Sequence, residues 1–385
     1  MATIAEPIIQ QELAVRPPKR LLYGPGPGQV HPRVYAAMAQ PIVGHLDPYF
    51  FEVSADIQPR LRTVFGTKNQ ETFVISATGS GGMETAITNF VQQGTKVGAF
   101  VNGYFCDRQT EMARRQGAEV VRFEKPWGEV FADDEARDLI KRNRPQVVTY
   151  VQAETSSGAF QRGAAICEAA HEVGALVIAD CVTSLGAMPV EVDKTGIDIA
   201  YSCTQKGLSC PPGLAPITVS PHAMEWLRAR STPNRSWYFD IKLISDYLIE
   251  SHRYHHSASA TLFYAIREGL ALIEEEGLEN RWERHRQAHL EFVKKVDKLG
   301  LEMHVAKPAD RIWNLNTPKV PAGVDDAKVR ATLLNDNGIE IAGGFGPLAG
   351  KIFRVGLMGP LATSESVTHF LHCFESALRG AGYKG

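Results

Sequence analysis

Between residues 73 and 203, short apolar runs alternate with amphipathic stretches, and this alternation limits the possible folds more than any other feature. Strands are predicted at 73–76, 97–102, 119–124, 146–154, 175–180 and 198–203, and helices at 81–94, 108–117 and 164–174. Strands that alternate with helices build βαβ units, whose mostly parallel sheet is covered on both faces. The sequence therefore predicts an α/β fold with its ligand site at the carboxyl ends of the strands.

The pattern changes after about residue 260. Helices are predicted at 262–277, 281–300 and 364–380, and the segments 315–321, 329–338, 339–344 and 351–356 suggest a smaller α+β domain. A chain of 385 residues is longer than most single domains. We expect an N-terminal arm (1–22), a large domain (23–262) and a smaller α+β domain (263–385).

Composition narrows the class of protein. Apolar residues make up 44% of the chain, charged residues 22%, and the net charge is −2. This balance is typical of a soluble globular protein and supplies no cationic field, so we expect neither nucleic acid nor a membrane as partner. The six cysteines include no C-x-x-C pair, which favours reduced thiols. With no signal peptide or peroxisomal address recognised, we expect a cytoplasmic protein.

One segment between a predicted strand and a helix is typical of an anion site. Thr78, Gly79 and Ser80 occupy this position, where backbone N–H groups and the positive end of a helix can bind a phosphate. The segment is not a dinucleotide fingerprint, because Glu84 replaces the third glycine, and it lacks the G-K-[ST] of a Walker loop.

Two further residues with ionisable side chains lie at or after the ends of predicted strands. Asp180 ends an apolar strand, and Lys206 comes shortly after the next one. Each alone could be structural, a turn-capping aspartate or an exposed loop lysine. Together with the anion loop, and in this order, they match the needs of pyridoxal phosphate (PLP). Its phosphate needs an anion site, its ring nitrogen a carboxylate, and its aldehyde a lysine.

The sequence resembles the class V aminotransferases of PLP fold type I, and within them the alanine–glyoxylate and serine–glyoxylate enzymes. The resemblance runs from Leu21 to Leu378. It rests on LLYGPGP, TGSGGMETA, NGYFCDR, QAETSSG, ADCVTSLG, DIAYSCTQKGLSCPPG, RYHHSASA and KIFRVGLMG. It implies a mixed, mostly parallel seven-stranded sheet in the large domain and a smaller α+β domain.

The resemblance also implies roles around the PLP ring. Lys206 would form the Schiff base and act as general acid and base. Asp180 would pair with the ring nitrogen, while Val182 and Phe105 would cover its two faces. Thr155 would lie near the ring hydroxyl.

Further implied roles concern the phosphate and the substrate. Thr78, Gly79, Ser80 and Gln205 would hold the phosphate. Tyr254 and Ser257 would reach the phosphate of the other subunit's cofactor, which implies a homodimer with shared sites. For the small amino acid and 2-oxo acid substrates, Arg354 would bind the α-carboxylate, and Gly26 would also line the substrate site.

Some features depart from the family pattern or favour a structural role. Ser257 replaces the usual threonine in a His-His-Thr-x-Pro motif whose proline is lost, and Cys203 replaces glycine or serine. His255 and His256 are adjacent, and His285 and His289 lack the glutamate of an H-E-x-x-H site, so we expect no metal site. We expect the second pair on a solvated helix face.

Three alternatives to an aminotransferase remain open at this point. A lyase such as a cysteine desulfurase would carry histidines where this chain has Gln205 and Phe105. A nicotinamide enzyme is disfavoured by the broken glycine pattern. A non-catalytic binding protein is disfavoured by the retention of Lys206, Asp180 and Arg354. Within the family, ureidoglycine is a third possible amino donor beside alanine and serine.

Overall fold

The computed structural model describes residues 15–385, so residues 1–14 of the expected N-terminal arm lie outside the described residues. The strands, in chain order, are β1 (Leu21–Leu22), β2 (Glu71–Ile75), β3 (Lys96–Val101), β4 (Glu119–Glu124), β5 (Val147–Val151), β6 (Ala153–Glu154), β7 (Ala159–Phe160), β8 (Leu176–Asp180), β9 (Ile199–Tyr201), β10 (Ala215–Val219), β11 (Leu315–Asn316), β12 (Ile339–Glu340), β13 (Ala342–Gly343) and β14 (Phe353–Gly356).

Helices connect most of these strands. In chain order they are α1 (Pro32–Met38), α2 (Pro48–Phe65), α3 (Gly79–Phe90), α4 (Tyr104–Arg115), α5 (Asp133–Asn143), α6 (Ala164–Glu172), α7 (Val192–Thr195), α8 (Pro221–Ala229), α9 (Ile241–Ser245), α10 (Ala260–Glu276), α11 (Leu278–Lys298), α12 (Asp326–Asn337) and α13 (Ser364–Gly380).

The expected seven-stranded, mostly parallel sheet is confirmed. Its strand order is β2-β10-β9-β8-β5-β3-β4. Within it, β10 is antiparallel to both neighbours, and the other pairs are parallel. The central strands β5 and β8 are buried along their whole length, as expected for a sheet covered on both faces. Their carboxyl ends point to the same edge, and Asp180 is the last residue of β8.

The apolar core is divided into two main clusters. The larger extends from Phe50 to Ile273 and surrounds the main sheet. The second contains Tyr23 and residues from Ala288 to Leu378, packed on the three-stranded antiparallel sheet β11-β14-β13. The boundary expected at residue 262 stays a prediction, and helix α10, which follows it, contributes to the larger cluster.

The expectation that His285 and His289 decorate a solvated face is wrong, because both are buried. Nδ1 of His285 lies 2.7 Å from the Arg281 carbonyl, and its Nε2 accepts a hydrogen bond from the Gly359 N–H. Nδ1 of His289 lies 2.7 Å from Oδ1 of Asn316. Helix α11 therefore turns these two histidines toward the second core, where their hydrogen bonds compensate the cost of burying them.

Two features are absent from residues 15–385. None of the helices there has both the length and the apolar character needed to cross a membrane. The same residues contain no group of three or more His, Cys, Asp or Glu side chains that could hold a metal ion. All six cysteines are buried and unpaired.

Candidate active site

A cavity of about 700 Å³ opens at the carboxyl edge of the main sheet, between the two cores. It gathers most of the residues singled out from the sequence. Those that line it are Gly26, Thr78, Gly79, Ser80, Phe105, Thr155, Asp180, Val182, Gln205, Lys206 and Arg354.

Lys206 projects into this cavity from the loop after β9. Its Nζ donates hydrogen bonds to Oγ1 of Thr155 at 2.8 Å and to Oγ1 of Thr183 at 3.0 Å. The side chain is buried, and this burial lowers the pKa of Lys206 below its ordinary value. A lysine in this setting is more readily neutral, which is the form that acts as a nucleophile or a base.

Asp180 is held at the end of β8 by two neutral donors. Oδ1 accepts the Val182 N–H at 2.8 Å, and Oδ2 accepts the Tyr201 hydroxyl at 2.9 Å. The residue is 2% exposed, and burial raises the pKa of Asp180 to about 6. A protonated ring nitrogen placed against it would offset the cost of burying this carboxylate.

The loop from Thr78 leads into helix α3 at the edge of the cavity. Thr78 is the N-cap residue, and its side chain makes no capping hydrogen bond. The first N–H groups of a helix have no partner within the helix and carry partial positive charge. Gln205 also lines the cavity, and its buried Oε1 has no hydrogen-bond partner. The N–H groups at the start of α3 form a place for an anion, to which the NH2 group of the Gln205 amide can add a donor.

Phe105 lies near the start of helix α4, which a buried carboxylate caps. Oε2 of Glu154 accepts the backbone N–H groups of Phe105 and Cys106 at 3.0 and 3.2 Å. Oε1 of the same side chain accepts from the backbone and side chain of Ser156. Glu154 also directly precedes Thr155, so it ties the aromatic wall of the cavity to the partner of Lys206.

Arg354 reaches the cavity from β14 of the smaller sheet. Its Nε donates to the Gly343 carbonyl at 2.8 Å, and its guanidinium lies 4.4 Å from the ring centroid of Phe345. Among residues 15–385, its two terminal nitrogens have no hydrogen-bond partner. They are therefore free to bind a carboxylate bidentately. Burial lowers the pKa of Arg354 to about 10, well above neutrality.

The loop at 23–28 joins the two halves of the site. The Gly28 N–H donates to the Gln205 carbonyl, and the Gly356 N–H donates to the Tyr23 carbonyl. Gly26 has φ of +121°, and a Cβ there would come within 3.1 Å of the Lys206 side chain. Only glycine fits this close approach without strain.

Sequence comparison and structure comparison place this chain in a known family. The family described as "Aminotransferase class-V" matches residues 32–357. The chain belongs to the class V aminotransferases. It is thus a PLP-dependent transaminase.

Individual relatives agree with this family. An alanine–glyoxylate aminotransferase from Drosophila melanogaster is 35% identical over 368 residues, which are 94% of this chain and 93% of the relative. An (S)-ureidoglycine–glyoxylate transaminase from Bacillus subtilis is 36% identical over 379 residues, 94% and 91% of the two chains. The solved structure of an alanine–glyoxylate aminotransferase from Nostoc sp. has 44% identity and a TM-score of 0.94, covering 96% and 98%.

Two of the expected site residues lie away from the cavity of this aminotransferase chain. Tyr254 and Ser257 are exposed, and the Tyr254 ring packs near His45. Between them, His255 and His256 are buried, with their Nδ1 atoms 2.8 Å apart. Nε2 of His256 lies 2.5 Å from Oγ of Ser76, so the exposed segment is anchored beside the anion loop.

Several residues that line the cavity, or that bond to residues lining it, were not predicted from the sequence. They are Tyr104, Arg108, Glu154, Thr183, Tyr201 and Phe345. All of them except Phe345 lie within the motifs NGYFCDR, QAETSSG, ADCVTSLG and DIAYSCTQKGLSCPPG, and this position was the available signal. Phe345 carried no such signal, because only the folded chain brings it to the cavity.

Proposed function

We propose that this aminotransferase moves the amino group of a small amino acid, alanine or serine, to glyoxylate or pyruvate by a ping-pong mechanism. PLP would be held covalently at Lys206. The observation that carries the proposal is that one cavity contains Lys206, Asp180 and Arg354. A lysine, a ring-nitrogen partner and a carboxylate clamp are the parts that transamination of a small 2-amino acid needs.

The residues present fit PLP. The uncapped N-terminus of α3 and the unpartnered amide of Gln205 offer an anion site for its phosphate. The two ends of an amide side chain exchange by a 180° rotation, so this position can present N–H donors. Asp180 would face the ring nitrogen, since its present partners are both neutral. When bound, PLP supplies an electron sink for the substrate carbanion.

The site residues divide the cofactor and the substrate between them. Thr78, Gly79, Ser80 and Gln205 would hold the phosphate. Phe105 and Val182 would cover the faces of the ring, with Thr155 near its hydroxyl.

Two residues would act on the substrate. Nζ of Lys206 would take the proton from the substrate Cα and return it during turnover. Arg354 would bind the α-carboxylate and orient the Cα–H bond, with Gly26 leaving room above Lys206.

The substrates are expected to be small, and the relatives support this. One is named an alanine–glyoxylate aminotransferase and another a ureidoglycine–glyoxylate transaminase, with similar identity to this chain. Ureidoglycine is therefore the second candidate donor. Phe345 and Tyr104, 4.8 Å apart between ring centroids, form an aromatic wall near Arg354 that favours a short side chain.

A homodimer is part of the proposal. Tyr254 and Ser257 are exposed in the single chain, and Trp237 and Tyr238 are exposed near them. A second copy packed here could receive Tyr254 and Ser257 at its phosphate site. Sedimentation of the active enzyme checks this, and a fully active monomer would contradict it.

The buried, unpaired cysteines support a reducing compartment, which we propose is the cytoplasm.

Half-reaction spectra test the function directly. The purified enzyme, expected to be yellow, is mixed separately with alanine, serine, ureidoglycine, aspartate and glutamate, and the cofactor absorbance is followed. Alanine or serine should react fastest, whereas a preference for aspartate or glutamate would overturn the proposal.

Borohydride reduction and peptide mapping should label Lys206. Lys206→Ala should still bind PLP non-covalently but show no turnover.

A further inference from the structure

Arg108 connects the rings of Phe105 and Tyr104 to the loop at 78–80, where helix α3 begins. It lies one turn after Phe105 in helix α4, and its Nη1 donates a hydrogen bond of 2.8 Å to Oγ of Ser80. Its guanidinium also lies 4.9 Å from the ring centroid of Phe105 and 5.2 Å from that of Tyr104. The two rings hold the guanidinium against the end of the cavity where α3 begins.

This arginine has no acidic partner within the part of the chain that the structure describes, where its contacts are the Ser80 hydroxyl and the two rings. The half-buried Arg122, which pairs with Asp107 and Glu124, shows the usual alternative. A guanidinium has five N–H donors, and one bond to Ser80 leaves most of them unused. The cation is therefore available to an anion in the cavity.

The phosphate end of the cavity otherwise offers only neutral donors. The first turn of α3 and the Gln205 amide can donate hydrogen bonds, but neither carries a formal charge. Of the other two cations that line the cavity, Lys206 is held by Thr155 and Thr183, and Arg354 lies against Phe345. A phosphate monoester carries close to two negative charges at neutral pH. The cation that contacts the anion loop is Arg108.

We propose that Arg108 binds the phosphate of the cofactor and supplies the positive charge of that subsite. This rests on the proposed function, because it requires PLP in the cavity. Arg108 would donate to a phosphate oxygen while keeping its bond to Ser80, and the rings of Phe105 and Tyr104 would fix its plane. A second anionic group on the amino donor is the competing ligand, but contact with Ser80 at the start of α3 favours the phosphate.

The test compares PLP with pyridoxal, which lacks the phosphate. Wild-type enzyme, Arg108→Gln, Arg108→Lys and the control Arg115→Gln are purified as holoenzymes. Their retention of PLP on dialysis is measured, followed by the Kd of added PLP and of pyridoxal from protein fluorescence. Arg115 is an exposed arginine on the same helix, paired with Glu111 outside the cavity.

Arg108→Gln should weaken PLP on the order of 10- to 100-fold, because a charge-assisted contact is lost. The Kd of pyridoxal for Arg108→Gln should stay within about twofold of the wild-type value, which is the expected experimental scatter. Pyridoxal has no phosphate for Arg108 to bind, so its affinity does not depend on this charge. Arg108→Lys keeps the charge and much of the packing, so it should fold even if the glutamine variant does not. It should lose PLP affinity to a smaller extent, since a point charge replaces a fork. Arg115→Gln should leave both constants unchanged.

The contrary outcomes are distinct. Equal weakening of PLP and pyridoxal would show that Arg108 acts only through the packing of Phe105, and would overturn the proposal. Unchanged PLP affinity in Arg108→Gln would overturn it as well. A KM raised for aspartate or glutamate alone, measured in the same variant, would then assign Arg108 to the substrate. Failure of the wild-type enzyme to attach PLP at Lys206 would instead overturn the proposed function itself.

Discussion

The hydroxyl of Tyr201 donates a hydrogen bond of 2.9 Å to Oδ2 of Asp180 and accepts one from Nε2 of Gln109, also at 2.9 Å. All three side chains are buried. The carboxylate is thus oriented by a tyrosine that is itself fixed from helix α4. Because these donors are neutral, they stabilise the charged form of Asp180 without cancelling its charge, and its pKa stays raised at about 6.

Tyr201→Phe should reduce kcat/KM about 10-fold, because a hydrogen bond to a charged group is typically worth ~1.5–3 kcal/mol and only part of it acts on the transition state. Losing this bond should raise the pKa of Asp180 further, so the acid limb of the kcat/KM profile should move to higher pH. Steady-state kinetics between pH 5 and 9 measure both. Tyr150→Phe is the matched control, since the buried Tyr150 hydroxyl has no partner. An unshifted profile in Tyr201→Phe would contradict this role.

Asp180→Asn should lose most of the turnover, because the ring nitrogen would lack its anionic partner. The same substitution should nevertheless stabilise the cofactor-free protein at alkaline pH. A pKa raised from 3.8 to about 6 on folding stabilises the protein below 3.8, and this stabilisation is lost as the pH rises through about 6. At pH 8 the wild type buries a charge that asparagine avoids.

Cofactor-free Asp180→Asn should therefore unfold at a higher urea concentration than the wild type at pH 8. Its unfolding free energy should be greater by at most ~3 kcal/mol. The difference should shrink at pH 5, where the wild type is largely protonated. The same comparison with PLP bound should favour the wild type. A less stable cofactor-free variant at pH 8, or wild-type turnover, would argue against the proposed pairing.

Glu154→Gln should loosen the start of helix α4. The amide oxygen can replace only one of the two carboxylate oxygens, so either the N–H groups of Phe105 and Cys106 or that of Ser156 lose their acceptor. We expect a loss of about 1–3 kcal/mol in unfolding free energy. The circular dichroism of the bound cofactor should also change, because Phe105 shifts. Glu111→Gln on the exposed side of α4 is the control, and a loss of stability without a change in the cofactor spectrum would assign Glu154 to folding alone.

The sequence predicted those parts of the fold that depend on local patterns. Strands β3, β4 and β8 lie within one or two residues of their predicted bounds, because apolar runs between turns mark buried strands. Strand β10 was not predicted. Its run APITV follows a Pro-Pro-Gly turn, and its place between β2 and β9 is decided by antiparallel pairing with strands distant in the chain.

Candidate site residues were predictable where chemistry and a strand end coincided, as at Asp180 and Lys206. Supporting residues were not. Tyr201 looked like one more apolar position of β9, and its role depends on Gln109 and Asp180 meeting it in space. His285 and His289 were misplaced because a charged helix reads as solvated until its packing partners are known.

Arg354 provides the sharpest test of substrate choice. Its Nε is bound to the Gly343 carbonyl, and Phe345 lies against its plane, so the two terminal nitrogens are presented in a fixed orientation. Arg354→Lys keeps a charge but cannot make the two-pronged contact, so KM should rise for both alanine and glyoxylate. The loss in kcat/KM should be on the order of 2–3 kcal/mol.

Arg311→Lys is the matched control for this substitution, because Arg311 donates only to the backbone carbonyls of Val305 and Ala306 and does not line the cavity. It should leave both KM values unchanged. Arg354→Ala should lose more activity than Arg354→Lys, since charge and fork are both removed. Both substrates must respond together, because the amino acid and the keto acid place the same carboxylate in the same clamp in the two half-reactions. An unchanged kcat/KM for alanine and glyoxylate in Arg354→Lys would remove Arg354 from the substrate site, whereas an effect on one substrate alone would show that the two half-reactions use different carboxylate partners.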